Sequence, residues 1–263
     1  MKLYGLIISW ISTISSILLI VLDIPQGFKN NIIFVLIYVF ILIFIYIVVW
    51  GCANKKNSAK LIINDTTIFI KEGDIFNQDG LKIIPFNEYF DTIVDDKLIS
   101  SNSLNGKYIL KYNINVEKLD EDIREDIRLK NSCKVVDKKR FYGNKIKYPL
   151  GSIYKNGSFL LLAFSKFDTD NRAYLDKSSF LECLLKMWNE IDVYYSSQNV
   201  FIPLLGAGIT RFQGGKLTEQ DLLELILISF RLSNIRFKSN ITIIIHKSNI
   251  DDINFFKLSN YLD

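Results

Sequence analysis

The chain has 263 residues, 32 Lys+Arg against 28 Asp+Glu for a net charge of +4, four Pro, three Cys and one His. At 49% hydrophobic, with a mean hydropathy of +0.18, it is too apolar for a disordered chain or an ordinary soluble domain. The charge is unevenly spread: residues 1–54 hold only Lys2, Asp23 and Lys29, then Lys55, Lys56 and Lys60 form a short basic cluster, and residues 61–263 balance 27 basic against 27 acidic. A nucleic-acid binder, which needs a basic excess on its binding domain, is disfavoured.

Two uncharged runs of 19 residues, Tyr4 to Leu22 and Ile32 to Trp50, open the chain. Each measures about 28 Å as a helix, close to the hydrocarbon thickness of a bilayer. The connector Asp23 to Asn31 contains Pro25 and Gly27, so the expectation for residues 1–54 is a transmembrane helical hairpin (helices about 4–22 and 32–50), with 55–60 a basic juxtamembrane linker. Lysines flank the outer ends of the pair, which places both termini and the remaining chain on the cytoplasmic side of a membrane. A cleaved signal peptide is disfavoured, because no small-x-small site precedes Asp23, and Gly51-Cys52-Ala53 is a poor lipidation site. Gly5, Ser9, Ser12 and Ser16 recur on one helical face, a spacing that permits close helix contact and self-association. Bonding of those hydroxyls back to their own helix, in a passive anchor, is the other reading.

From Lys60 onward, strand-like and helix-like patterns alternate. Leu61 to Ile70 and Leu81 to Phe86 predict strands, and Val116 to Lys130 a charged amphipathic helix. Tyr148 to Ile153 and Phe159 to Phe164 flank Asn156-Gly157, a hairpin signal. Ser178 to Tyr195 predicts a helix burying Phe180, Leu184, Met187, Trp188 and Ile191. Val200 to Leu204 and Ile241 to Ile245 are buried strands, and Leu217 to Phe230 is a helix with Thr218 and Asp221 in capping-box positions. A last helix is expected from about Asp251 to Leu262. The class that follows for residues 61–263 is an α/β sandwich with helices on both faces of a mixed sheet. Three cysteines without metal spacing imply reduced thiols, and His246, ending an apolar strand, reads as structural. No catalytic triad and no metal site is expected.

The most informative stretch is Pro203-Leu-Leu-Gly-Ala-Gly-Ile-Thr-Arg-Phe-Gln-Gly-Gly215. It leaves a strand and enters a helix, and Gly206 and Gly208 let backbone N–H groups approach an anion such as a diphosphate; a mere tight turn is the alternative. With Ile70 to Phe76 (IKEGDIF) and Ile84 to Thr92 (IPFNEYFDT), this stretch resembles a macro domain, the ADP-ribose-binding α/β/α fold. YPLGSI (148–153) and LLLAFSKFD (160–168) add similarity to the divergent macro domain of Thoeris antiphage effectors, in the branch where two transmembrane helices precede it.

That resemblance implies Asp74 and Ile75 at the adenine, and Leu205, Gly206, Ala207, Gly208, Ile209 and Thr210 at the diphosphate. Asn87, with Ser103 and Asn105, would face the distal ribose. Arg211 would meet a phosphate or carboxylate or stand solvated, and Phe212 would stack on the ligand or pack in the core. The family's second asparagine and glycine-rich loop are replaced here by Glu88 to Thr92 and Ser101 to Gly106, so binding rather than ADP-ribosyl hydrolysis is implied. The implied partners are a nucleotide signal of ADP-ribose type (a histidine conjugate) made by a TIR-domain protein, the lipid bilayer and further copies of the chain; no cofactor is implied. Clustering and membrane disruption, with death or arrest of the infected cell, would follow.

Overall fold

The computed structural model describes Ser9, Ser12, Thr13, Ser16, residues 32–54 and residues 57–258 other than 133, 169 and 209. The chain divides into two compact units, Met1–Lys55 and Lys56–Asp263.

In the first unit, α1 (Ile32–Asn54) is a helix of 23 residues. Its side chains are described from Leu36 to Val48, and most are exposed large hydrophobics, Phe40 at 70%. Among the described residues no helix is long and apolar enough to cross a membrane. The expected two-span hairpin is therefore not supported, since Gly5 and all but four residues of its first span lie outside the described residues. Of those four, Thr13 donates its hydroxyl to the Ser9 carbonyl and Ser16 to that of Ser12, both at 2.8 Å. Those two hydroxyls are thus satisfied within their own helix.

The second unit is a mixed sheet between two helical layers. The expected strand Leu61 to Ile70 is instead a hairpin, β1 (Ser58–Ile63) and β2 (Thr66–Glu72). Asn64 and Asp65 turn it with φ of 50° and 56°, as a two-residue type I′ turn requires. Next come β3 (Leu81–Asn87), α2 (Leu104–Lys111), α3 (Val116–Glu125) and α4 (Ile127–Lys130). The single helix expected over 116–130 is broken at Asp126, whose backbone leaves the helical path (ψ 125°) and whose carboxylate accepts the Leu129 N–H at 2.9 Å.

A short ribbon follows, β4 (Val135–Val136) with β5 (Ile146–Lys147). Then β6 (Ile153–Asn156) and β7 (Phe159–Phe167) form the expected hairpin, but its two loop residues are Gly157 and Ser158, and Pro149 to Ser152 is a turn, not strand. After β8 (Ala173–Asp176) come α5 (Lys177–Tyr194), β9 (Val200–Pro203), β10 (Arg211–Gln213), α6 (Glu219–Ser233) and β11 (Ile241–Ile245). Thr218 and Asp221 close the expected capping box on α6. The last expected helix is a 3-10 helix, Lys247–Asp252, then a short α7 (Phe255–Leu258), and its remainder lies outside the described residues.

The main sheet runs β1-β2-β11-β9-β3-β7-β8-β10, with β6 also on β7. Five consecutive strands, β2, β11, β9, β3 and β7, are mutually parallel. Parallel strands buried on both faces need apolar residues at consecutive positions, which β7 supplies. Leu160 and Leu162 enter the core under α5 and α6, while Leu161 and Ala163 enter the core under α2, α3 and α4. Trp188 ties α5 to α6, donating its indole N–H to Ser229 Oγ at 2.8 Å.

Candidate ligand-binding site

In an open parallel sheet, the backbone leaves a crevice beyond the carboxyl ends of the strands, where successive connections turn to opposite faces. Here a cavity of about 370 Å³ lies against the ends of β2, β3, β7, β9 and β11. Gly73, Asp74 and Ile75 form one wall, and Ser100, Ser103, Asn105 and Lys107 another. The turn after β9 contributes Leu205, Gly206, Ala207, Gly208 and Thr210, while Asn87 sits at the end of β3. Ten of the thirteen ligand-binding residues expected from the sequence thus share one cavity. Ile209 lies outside the described residues. Arg211 and Phe212 sit on β10 and line, with Lys216 and Leu222, an adjoining depression on the other side of the glycine turn, which shares Gly206, Ala207, Gly208 and Thr210 with the cavity.

The glycine turn is shaped by two different demands. Gly206 has φ +90°, and a Cβ there would stand 2.9 Å from Phe212 Cζ. Phe212 is thereby a support beneath the turn, edge-on to Phe180 at 5.4 Å between ring centroids, which favours the packing reading over ligand stacking. A Cβ on Gly208 would meet nothing within 4 Å. Gly208 therefore faces open space at the cavity wall, as close backbone approach to a ligand requires.

A family model described as Thoeris protein ThsA, macro domain, matches residues 68–246. The chain belongs to the Thoeris ThsA macro-domain family. Thoeris protein ThsA of Bacillus amyloliquefaciens (strain Y2) is 41% identical over 211 residues, 78% of this chain and 71% of that protein. Among solved structures, a macrodomain mutant of Oceanobacillus iheyensis with ADPR superimposes at a TM-score of 0.50 and 13% identity, covering 78% of this chain and 98% of that one. At that identity the likeness speaks to the fold, and the macro-domain architecture read from the sequence is borne out.

Within this ThsA macro domain, Asp74 is exposed, and its Oδ1 accepts the Phe76 N–H at 2.9 Å. Ser103 caps α2, accepting from Gly106 N–H, and its hydroxyl contacts the Ser100 carbonyl and Asn105 Oδ1, each at 2.5 Å. Asn87 is buried with its carboxamide already committed. Its Oδ1 accepts backbone N–H groups of Tyr89 and Asp91, and its Nδ2 donates to Asp91 Oδ2 at 2.7 Å. Backbone N–H can only donate and a carboxylate can only accept, so the amide orientation is fixed, with one N–H left over.

Asp91, fully buried, is in turn clamped by Arg140, with Nη1 to Oδ1 at 3.0 Å and Nη2 to Oδ2 at 2.6 Å. The same guanidinium lies 3.8 Å from the Tyr89 ring centroid. Neighbouring carboxylates feel this burial: desolvation raises the pKa of Glu88, opposed by Lys147, and raises that of Asp120, opposed by Asn144 and Thr92. Sequence reasoning missed Arg140 and Asp91, which lie 49 positions apart and meet only through the fold.

It also set His246 aside. The imidazole is exposed at the cavity, its Nδ1 2.9 Å from Ser248 Oγ and accepting the Ser248 N–H at 3.3 Å. Lys107, exposed on α2, is the cavity's cationic side chain. Cys183 is wholly buried on α5, and burial pushes its thiol up to about 12.

Proposed function

We propose that this chain is a Thoeris effector whose macro domain binds an ADP-ribose-type nucleotide made by a TIR-domain partner, a histidine conjugate of ADP-ribose, and responds by self-association and membrane disruption. The observation that carries the reading is the coincidence of family and site: a ThsA macro domain whose cavity gathers the glycine turn, Asp74 and Asn87 at the ends of five parallel strands. In this reading the backbone amides of Gly206 to Thr210 hold the diphosphate, an anion suited to an uncharged N–H cradle. Asp74 Oδ2 takes the adenine amino group, and the Asn87 and Ser103 end takes the distal ribose and its substituent.

Binding without turnover is favoured over ADP-ribosyl hydrolysis. A carboxamide spent on Tyr89, Asp91 and the Asp91 carboxylate is a fixed wall, not an adjustable positioner of a nucleophile. The apolar surface of α1, exposed around the helix from Leu36 to Val48, supports a bilayer as the surrounding of the N-terminal unit, at the inner membrane with the macro domain in the cytoplasm. Self-association through Gly5, Ser9, Ser12 and Ser16 belongs to the same proposal. The ligand drives it only if it binds the clustered state more tightly, by about 1.4 kcal/mol for each tenfold shift.

The test uses the full chain reconstituted in dye-loaded vesicles. Addition of histidine-ADP-ribose should release the dye, and Ser9→Leu with Ser12→Leu should abolish release while calorimetry shows unchanged ligand binding. Steady consumption of the ligand by the protein would overturn the binding-only reading. Release that does not depend on ligand would overturn the sensor reading.

A further inference from the structure

The balanced charge of residues 61–263 conceals a separation. Residues 134–147 carry six basic and one acidic side chain, and the remainder of that region carries 21 basic against 26 acidic. The basic segment is the β4–β5 ribbon and its loop. Two of its cations are consumed on the inner side, Arg140 on Asp91 at 2.6 Å and Lys147 on Glu88 at 3.0 Å, and they fasten the ribbon to the segment after β3.

Lys138, Lys139 and Lys145 point outward, exposed and without an ion pair among the described residues. Between them Phe141 stands 98% exposed, with Val135 and Val136 at 60% and 57%. The carboxylates that touch the loop are already engaged: Asp137 accepts the Tyr89 hydroxyl, Asp95 the Tyr142 hydroxyl, Asp91 the Asn144 backbone N–H and Asp120 the Asn144 carboxamide.

A bare phenyl ring set among lysines gains from a partner that is anionic and apolar within a few ångströms of depth. An anionic bilayer has that layering, with phosphate at the surface and an interfacial zone that accepts aromatic rings. We infer that the β4–β5 loop docks on an anionic lipid surface, Phe141 entering the interface and Lys138, Lys139 and Lys145 resting against headgroup phosphates. A nucleic acid fits less well. Val135 and Val136 have no use for a phosphodiester chain, and the net-acidic remainder of the domain repels a polyanion extending beyond the loop. The inference requires neither a ligand in the cavity nor insertion of α1, so it stands or falls apart from the proposed function.

The experiment is hydrogen exchange of the full chain with vesicles of phosphatidylcholine alone or with 30% phosphatidylglycerol (a composition on the order used for anionic surfaces). Amides of residues 138–146 should gain protection only with the anionic lipid, and lose it as salt shortens the screening length. Each lysine near such a surface is worth about a fivefold change in docking, so Lys138→Ala, Lys139→Ala and Lys145→Ala together should weaken it about a hundredfold. These three side chains are exposed, and the fold is expected to survive their loss. Phe141→Ala should weaken docking while leaving its salt dependence. Equal exchange with both vesicle types overturns the inference. So does equal protection by a single-stranded oligonucleotide in the absence of lipid, which would assign the loop to nucleic acid.

Discussion

Gly208→Val separates a residue kept small for a ligand from one kept small for the fold. A Cβ at Gly208 meets no atom within 4 Å, so the variant should fold with stability within about 0.5 kcal/mol of the parent. The added carbons nevertheless stand where a diphosphate must approach the turn. Losing two N–H bonds to an anion, at about 1.5–3 kcal/mol each, costs about 3–6 kcal/mol, a 10²- to 10⁴-fold rise in Kd. Gly206→Val is the contrast. Its φ of +90° and a Cβ 2.9 Å from Phe212 Cζ and 3.1 Å from Leu222 Cδ2 impose backbone strain and overpacking together. Each is worth about 1–3 kcal/mol of stability. Calorimetry with ADP-ribose and with its histidine conjugate reads the first variant, and denaturant unfolding reads both. A Gly208→Val protein that binds like the parent, or that unfolds as early as Gly206→Val, would refute the reasoning.

Arg140→Met leaves Asp91 buried without its cation and should lower stability by about 3–5 kcal/mol; adding Asp91→Asn should restore part of that, measured by denaturant midpoints. Asp74→Asn keeps an acceptor for Phe76 N–H but removes the charge, so affinity for an adenine nucleotide should fall about tenfold or more with an unchanged midpoint. Cys183, its thiol raised to about 12, should resist alkylation at pH 8 until the protein unfolds. Because the folded value lies above the ordinary 9.0, the stabilisation linked to this thiol is complete below pH 9 and declines as pH rises toward 12. Alkylation of the native protein as fast as of the unfolded chain would contradict that burial.

Local rules carried much of the fold. The Thr218–Asp221 capping box, the apolar face of α5 and the buried run of β11 are encoded within a few residues, and each stands where the sequence puts it. The errors came where two local signals competed. Asn64-Asp65 is a turn pair inside a β-branched run, and the run masked it. Asp126 is a cap inside a helical pattern, and the pattern masked it. The glycine turn was legible because a backbone demand selects glycine. The Asp91–Arg140 clamp was not, because a buried ion pair leaves no periodicity and its partners are brought together only by tertiary packing. The basic loop escaped for another reason: a sum over 203 residues returned zero and erased the local excess at Lys138, Lys139 and Lys145.

The hairpin register of the first two strands has a mechanical consequence. Ser58, where β1 begins, pairs with Lys71, only three residues before Asp74 on the cavity wall. The polypeptide running toward residues 1–55 therefore departs from the same end of the sheet that holds the cavity, along an edge strand fastened on one side alone. Tension on that connection would load the Ser58–Lys71 rung first and open the strand one rung at a time. Conversely, an occupant that stiffens the Gly73 to Ile75 wall braces the rung nearest the tether. From the cavity wall to the start of β1 is thus one rung of strand pairing and three residues, not a relay through the core.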